Sequence, residues 1–157
     1  MAKVIVVYSS KTGNTEKMSE LIEESLAHSG VDVTRKRANS VAPQELLDYD
    51  GIVIGTPCYY GLMSADIKKL LDDSVQLHGK LDGKVGAAFC SSANVGGGNE
   101  TAIIALLQAM MIHGMVVQGD PHGDHYGAVA IGSPDKRSAK QCAEMGKRVA
   151  ELLKRLS

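Results

Sequence analysis

The stretch Val4-Ile5-Val6-Val7-Tyr8-Ser9-Ser10-Lys11-Thr12-Gly13-Asn14-Thr15 decides how this chain folds. It opens as an apolar, β-branched run, as expected of a strand buried on both faces. From Thr15 the period changes, and Met18, Leu21, Ile22, Ser25 and Leu26 recur at helical spacing. The join between strand and helix carries four hydroxyls, an amide and a glycine. It also presents a run of backbone N–H groups at a helix start. Such an end attracts phosphate, because those N–H groups lack partners and the helix dipole is positive there. Neutral hydroxyls suit a phosphate monoester held by hydrogen bonds and the dipole alone. The competing explanation is ordinary N-capping by Asn14 or Thr12. The join has neither the spacing of a P-loop nor a Gly-x-Gly-x-x-Gly.

The same alternation continues along the chain. Strand-like runs fall at residues 4–8, 31–35, 51–55 and 84–90, and at 114–118 together with 128–132. Helical periodicity occupies residues 15–29, 64–75, 99–113 and 136–156, with a short helical turn at 43–47. Repeated strand–helix alternation implies a parallel sheet with helices on both faces. The whole of 1–157 reads as one domain. In such a sheet, ligands bind beyond the C-terminal ends of the strands, where the strand order reverses.

Two further loops follow strand ends. Thr56-Pro57-Cys58-Tyr59-Tyr60-Gly61-Leu62-Met63-Ser64 places two adjacent tyrosines in a chain that has five Tyr, one Phe and no Trp. Tyr offers a flat face to a planar ring, although a tyrosine that packs beneath its own loop would look the same. Gly61 permits the backbone to approach a ligand or the Tyr60–Gly61 peptide to turn over. Ser91-Ser92-Ala93-Asn94-Val95-Gly96-Gly97-Gly98-Asn99-Glu100 has three consecutive glycines, which let N–H groups turn inward as a nest for negative charge.

Together the three loops resemble the flavodoxin-like superfamily, with residues 8–15 similar to its FMN-phosphate signature. Further along, the chain resembles the tryptophan-repressor-binding-protein A (WrbA) family of NAD(P)H:quinone oxidoreductases. The carrying residues are Pro43-Gln44-Glu45-Leu46, Tyr49-Asp50, Gly55-Thr56-Pro57, Gly61, Met63-Ser64, Leu71-Asp72, Ser91-Ser92, Gly96-Gly97-Gly98, Glu100, His113-Gly114-Met115-Val116 and Tyr126-Gly127-Ala128. The resemblance implies a flavodoxin-like three-layer α/β sandwich, whose five-stranded parallel sheet has the order 2-1-3-4-5. It implies FMN as cofactor. Ser9, Ser10, Lys11, Thr12, Gly13, Asn14 and Thr15 are then expected at its phosphate, and Pro57, Cys58, Tyr59, Tyr60 and Gly61 beside the isoalloxazine. Ser92, Ala93, Asn94, Val95, Gly96 and Gly97 are expected along the pyrimidine edge. The chain departs from WrbA proteins at Thr12, where they commonly have Tyr, and at His78, where they have Trp. It has Ile112-His113 where they have two His, and lacks their extra stretch before Pro43. His78 and Tyr126 are the expected substrate contacts.

Three functions compete: an enzyme passing electrons from NAD(P)H to a quinone, a shuttle between redox proteins, and a non-catalytic module. A shuttle usually shows a strongly acidic face, and a net charge of −1 with a pI near 6.5 supplies little field. The enzyme is the preferred reading, with no catalytic side chain, because the flavin carries the chemistry. Hydride would reach flavin N5, and N–H groups of residues 92–97 would stabilise the reduced anion. The expected partners are NAD(P)H with a quinone or a redox protein, and assembly as a homodimer or homotetramer is compatible with this. The near-neutral charge argues against nucleic acid. No apolar run approaches a membrane span, and none is long enough for an export signal. Cys58, Cys90 and Cys142 form no Cys-x-x-Cys pair, which fits a reducing cytoplasm. Cys58 reads as a space-filling residue beside the ring, and Cys90 and Cys142 as core. His122, Asp124 and His125 are too few to argue a metal site, and residues 119–127 read as a flexible rim over the flavin.

Overall fold

A computed structural model describes residues 1–157. β1 (Lys3–Tyr8) leads into α1 (Asn14–His28) and β2 (Asp32–Arg37). Two 3-10 turns, Ala38–Ser40 and Pro43–Asp48, connect to β3 (Gly51–Pro57), followed by α2 (Ala65–Asp73) and a further turn, Ser74–Leu77. β4 (Val85–Ser92), α3 (Asn99–Ile112), β5 (Val116–Val117), β6 (Val129–Ile131) and α4 (Lys136–Leu156) complete the chain. The sheet is parallel with order β2-β1-β3-β4-β5, and β6 also pairs with β4.

The double-sided burial of the strands follows from their alternation. Val4, Val6 and Tyr8 of β1 face Met18, Ile22 and Leu26 of α1 and Val149 and Leu153 of α4, while Ile5 and Val7 face Ile67 and Leu70 of α2 and Ile103 and Leu106 of α3. Burying a large aliphatic side chain stabilises by about 1.5–3 kcal/mol, so these apolar contacts hold helices against both faces of the sheet. β1 has β2 on one side and β3 on the other, so the chain reverses its winding there. In such sheets ligands bind beyond the C-terminal ends of the strands at that reversal, here β1 and β3.

The fifth strand differs from the expected one. Its two halves shrink to β5, paired with Val85 and Gly86, and β6, paired with Cys90, Ser91 and Ser92. Residues 118–128 leave the ladder because Gly119, Pro121, Gly123 and Gly127 disfavour a continuous strand, and side chains satisfy the backbone instead. Asp124 accepts from the Val129 N–H at 2.9 Å and pairs with Arg137. Gln141 Oε1 accepts from the Asp124 N–H at 2.9 Å, and Arg148 donates to the Gly119 carbonyl at 2.6 Å. The segment is therefore tied down along the sheet edge, in contrast to the flexible rim expected of it. No helix is long and apolar enough to cross a membrane.

Candidate functional site

The loop after β1 concentrates unpartnered donors. Gly13 is the N-cap of α1 in left-handed conformation, and no side chain caps the helix. The Gly13 N–H donates to Ser10 Oγ at 3.1 Å, whereas the N–H groups of Lys11, Thr12, Asn14, Thr15 and Glu16 donate to no protein acceptor. Capping by Asn14 or Thr12 is thus not how this helix end is satisfied. The exposed Thr12 hydroxyl and the Asn14 amide also lack protein partners. Free N–H groups at the positive end of a fifteen-residue helix fit one phosphate monoester.

Two of the expected residues turn out to hold the loop in place. The Ser9 hydroxyl donates to the Asp66 carboxylate at 2.7 Å, and Ser64 donates to the same group at 2.6 Å. Burial pushes Asp66 upward, but the Ser64 and Ser9 hydroxyls and nearby backbone N–H groups outweigh it and hold the acid below its ordinary range. The Thr15 hydroxyl meets Ser91 Oγ at 2.8 Å in the interior, which ties the first loop to the end of β4. Arg37 donates to the Ser10 carbonyl at 2.9 Å and to Glu16 at 2.7 Å. Tyr8 donates to the other oxygen of Glu16 at 2.7 Å, and Arg35 and Arg37 lie over its ring at 5.4 and 5.2 Å. Burial, then Glu16, raises the Tyr8 phenol. Asp66, Glu16 and Arg37 are therefore parts of the site that the sequence reading missed. An acid in the first turn of α2 and another in that of α1 were signals. Arg37 had none, because only the β1–β2 register sets it opposite Tyr8.

The loops after β3 and β4 are locked together. The Cys58 N–H donates to the Ser91 carbonyl at 2.9 Å, and Cys58 Sγ approaches the Gly97 carbonyl at 3.1 Å. Thr101 donates to the Gly61 carbonyl at 2.7 Å. Gly98 has φ +88°, and a Cβ there would lie 2.6 Å from Gly61 Cα and 3.1 Å from Cys58 Sγ, so only glycine lets the loops close. Tyr59 and Leu62 exchange backbone hydrogen bonds of 2.9 and 3.0 Å around Tyr60 and Gly61, both with positive φ, 51° and 76°. Positive φ at both central residues defines a type I′ turn. It carries Tyr60 fully into solvent and leaves Tyr59 39% exposed, with Lys11 Nζ 5.2 Å from the Tyr59 ring centroid. Across from it, Ser92 Oγ donates to the Asn94 carbonyl at 3.0 Å and accepts from Asn99 at 2.8 Å. The N–H groups of Ala93, Asn94, Val95 and Gly96 have no protein acceptor. An aromatic wall, free N–H groups opposite and a phosphate-sized donor cluster at the end match FMN in kind and order.

The two expected substrate contacts part company. Tyr126 is half exposed and lines a cleft of about 620 Å³ with Val95, Gly96 and Gly98, so it adjoins the third loop. His78 lies elsewhere. α2 starts at the loop end of β3 and runs back along the sheet, and the turn Ser74–Leu77 extends it further. His78 therefore sits beside His113, at the C-terminus of α3, with ring centroids 6.3 Å apart. His113 Nε2 meets Ser74 Oγ at 2.9 Å and its buried Nδ1 has no partner. Burial, then His78, lowers the His113 imidazole. Burial pushes up the Cys90 and Cys142 thiols, which keeps both inert.

Residues 5–109 match the flavodoxin domain family. The chain is 39% identical over 160 residues to a flavodoxin of Aquifex aeolicus, covering 96% of this chain and 86% of that protein. It is 30% identical over 190 residues to an NAD(P)H dehydrogenase (quinone) of Archaeoglobus fulgidus, covering 99% and 100%. A flavodoxin structure from the domain Archaea superposes with a TM-score of 0.81 at 30% identity, covering 97% of this chain and 99% of the other.

Proposed function

This chain belongs to the flavodoxin family, and from that premise we propose that residues 1–157 work as one FMN-dependent oxidoreductase that takes electrons from NAD(P)H and delivers them in pairs to a quinone. The N–H groups of Lys11, Thr12, Asn14, Thr15 and Glu16, with the Thr12 and Ser10 hydroxyls, receive the phosphate. Tyr59 and Tyr60 flank the ring, with Cys58 and Gly61 beneath them and Pro57 leading in. The N–H groups of Ala93 to Gly96, on a loop held by Ser92, Asn94 and Gly97, face its pyrimidine edge. When bound, FMN supplies the electron-carrying centre; the protein supplies orientation, N–H groups for negative charge and limited water access.

The observation that carries electron pairing is the turn at Tyr60–Gly61. A one-electron carrier profits from a peptide that can turn over and offer its carbonyl to a protonated flavin N5. Reversing the central peptide of a type I′ turn leaves its first residue at positive φ with extended ψ, a region open essentially to glycine. That residue is Tyr60, at φ 51°. Reversal would cost about 1–3 kcal/mol, because it moves the Tyr60 carbonyl by driving Tyr60 itself into that region. The glycine at 61 does not relieve this, because the strain falls on the residue before it.

The second reading is a shuttle, favoured by the relative named a flavodoxin at 39% identity. Charge gives it little support: Lys11, Lys17 and Arg37 stand among Glu16, Asp66 and Glu100 around the first and third loops. Anaerobic mixing of FMN-loaded protein with NADH and with NADPH, followed at the flavin absorbance, separates the two. Bleaching within minutes, reversed by menadione or p-benzoquinone, is expected. No bleaching by either nucleotide would leave the shuttle.

A further inference from the structure

The split of the fifth strand leaves a cavity that shares Asp124 to Gly127 with the cleft beside the third loop but is lined by none of the residues assigned to FMN. β5 covers β4 only at Val85 and Gly86, and β6 only from Cys90 onward. Between them, α3, α4 and residues 118–128 border a partly open cavity of about 240 Å³ against the middle of β4. The inner surface is apolar. Ala87, Leu107, Val117, Met145 and Leu152 line it, and each remains only half-buried although the neighbouring strand residues Val85, Ala88 and Phe89 are buried. An apolar cavity of roughly 150 Å³ can stay dry and take benzene, so this one has room for a substituted ring.

The wall formed by residues 119–127 does not collapse into the space. The Asp120 N–H donates to the His125 carbonyl at 3.0 Å, and His125 Nδ1 meets the Asp120 carbonyl at 2.7 Å. Together with the ties to Gln141, Arg148 and Arg137, these bonds hold the segment from both sides. Donors are left over at the cavity. Arg148 spends only Nη2 on Gly119, so its Nε and Nη1 have no protein acceptor. Gln141 spends only its oxygen. Asp120 also lines the space, and its carboxylate disfavours a second anion there.

We propose that this cavity is a binding site for a neutral, single-ring organic molecule with one carbonyl or hydroxyl oxygen. The ring packs against Ala87, Leu107 and Met145, and the oxygen accepts from the free Arg148 N–H groups. The site is separate from the loops assigned to FMN, and it stands whether the flavin works in one- or two-electron steps.

The test uses isotopically labelled, FMN-loaded protein and two probes, acetophenone and toluene, titrated by amide NMR. Saturable shifts are expected in residues 85–88, 117–128 and 141–152, with no release of FMN. Acetophenone should bind about two- to tenfold more tightly than toluene, the range of one net hydrogen bond. Ala87→Leu fills the cavity and should abolish the shifts without lowering the melting temperature. Arg148→Met should remove the preference for acetophenone while toluene still binds. Shifts that never saturate, or that centre on residues 59–62 or 93–98, would overturn the proposal. So would unchanged binding to the Ala87→Leu protein, or an unchanged preference in Arg148→Met.

Discussion

Thr12 and Thr15 look alike in sequence, as two hydroxyls in one phosphate loop, yet their alanine variants should fail in different ways. The Thr12 hydroxyl is exposed and bonded to nothing in the protein, so Thr12→Ala leaves the apoprotein intact. A surface change of this kind stays within about 0.5 kcal/mol of stability. What it removes is one hydrogen bond to a charged phosphate, worth about 1.5–3 kcal/mol, or roughly a ten- to hundredfold loss of FMN affinity. The Thr15 hydroxyl is buried against Ser91 at 2.8 Å, with Thr15 1% and Ser91 6% exposed. Thr15→Ala strands the Ser91 hydroxyl, which costs about 1–3 kcal/mol. In a chain of this length that lowers the apoprotein melting temperature by about 2–12 °C. Its backbone N–H remains, so FMN affinity should fall less than in Thr12→Ala. Apoprotein melting and fluorescence-quench titration with FMN give the two numbers. Normal FMN affinity in Thr12→Ala would mean that the phosphate is held elsewhere. Equal loss of apoprotein stability in both variants would refute the division of labour.

Gly98→Ala should separate the second and third loops, since left-handed backbone costs a side chain about 1–2 kcal/mol and its Cβ would meet Gly61 Cα at 2.6 Å; a lowered melting temperature and weaker FMN binding by titration check this. His113 has its imidazole lowered in the fold, so the unfolded chain takes up its proton first. The stability it preserves is complete above about pH 6.5 and is lost as pH falls below that value towards the folded pKa. His113→Gln, whose amide can still donate to Ser74, should flatten the melting temperature between pH 7.5 and 5, and an unchanged slope would place the titrating group elsewhere. Tyr60→Gly removes the obstacle to peptide reversal and should raise the share of flavin found half-reduced in a reductive titration.

Much of the framework was legible because it is local. The change from β-branched run to helical period at Thr15, and the loops at 56–64 and 91–100, can be read from neighbours in sequence. The sheet order then set the first and second loops on either side of the reversal at β1. What escaped was nonlocal. β2 runs to Arg37, two residues beyond its apolar pattern, because β1 supplies a ladder as far as Tyr8. That pairing delivers Arg37 to the Ser10 carbonyl. The two pieces of the fifth strand were legible at residues 114–118 and 128–132, but their pairing shrank to Val116–Val117 and Val129–Ile131, a length that only the ladder on β4 decides. His78 went to the far end of α2 because the turn Ser74–Leu77 prolongs that helix away from the loops. Gly61 suggested a freely turning peptide, but the conformational limit lies in the φ of Tyr60, which composition does not reveal.

The claim that electrons leave this protein in pairs is tested most directly by anaerobic dithionite titration of the FMN-loaded protein, recorded across the visible spectrum. With Tyr60 holding its peptide in place, the yellow flavin band should bleach steadily to completion at two electrons per FMN, with little long-wavelength absorbance at the midpoint. A blue species holding most of the flavin after one electron would contradict the account and establish a one-electron carrier.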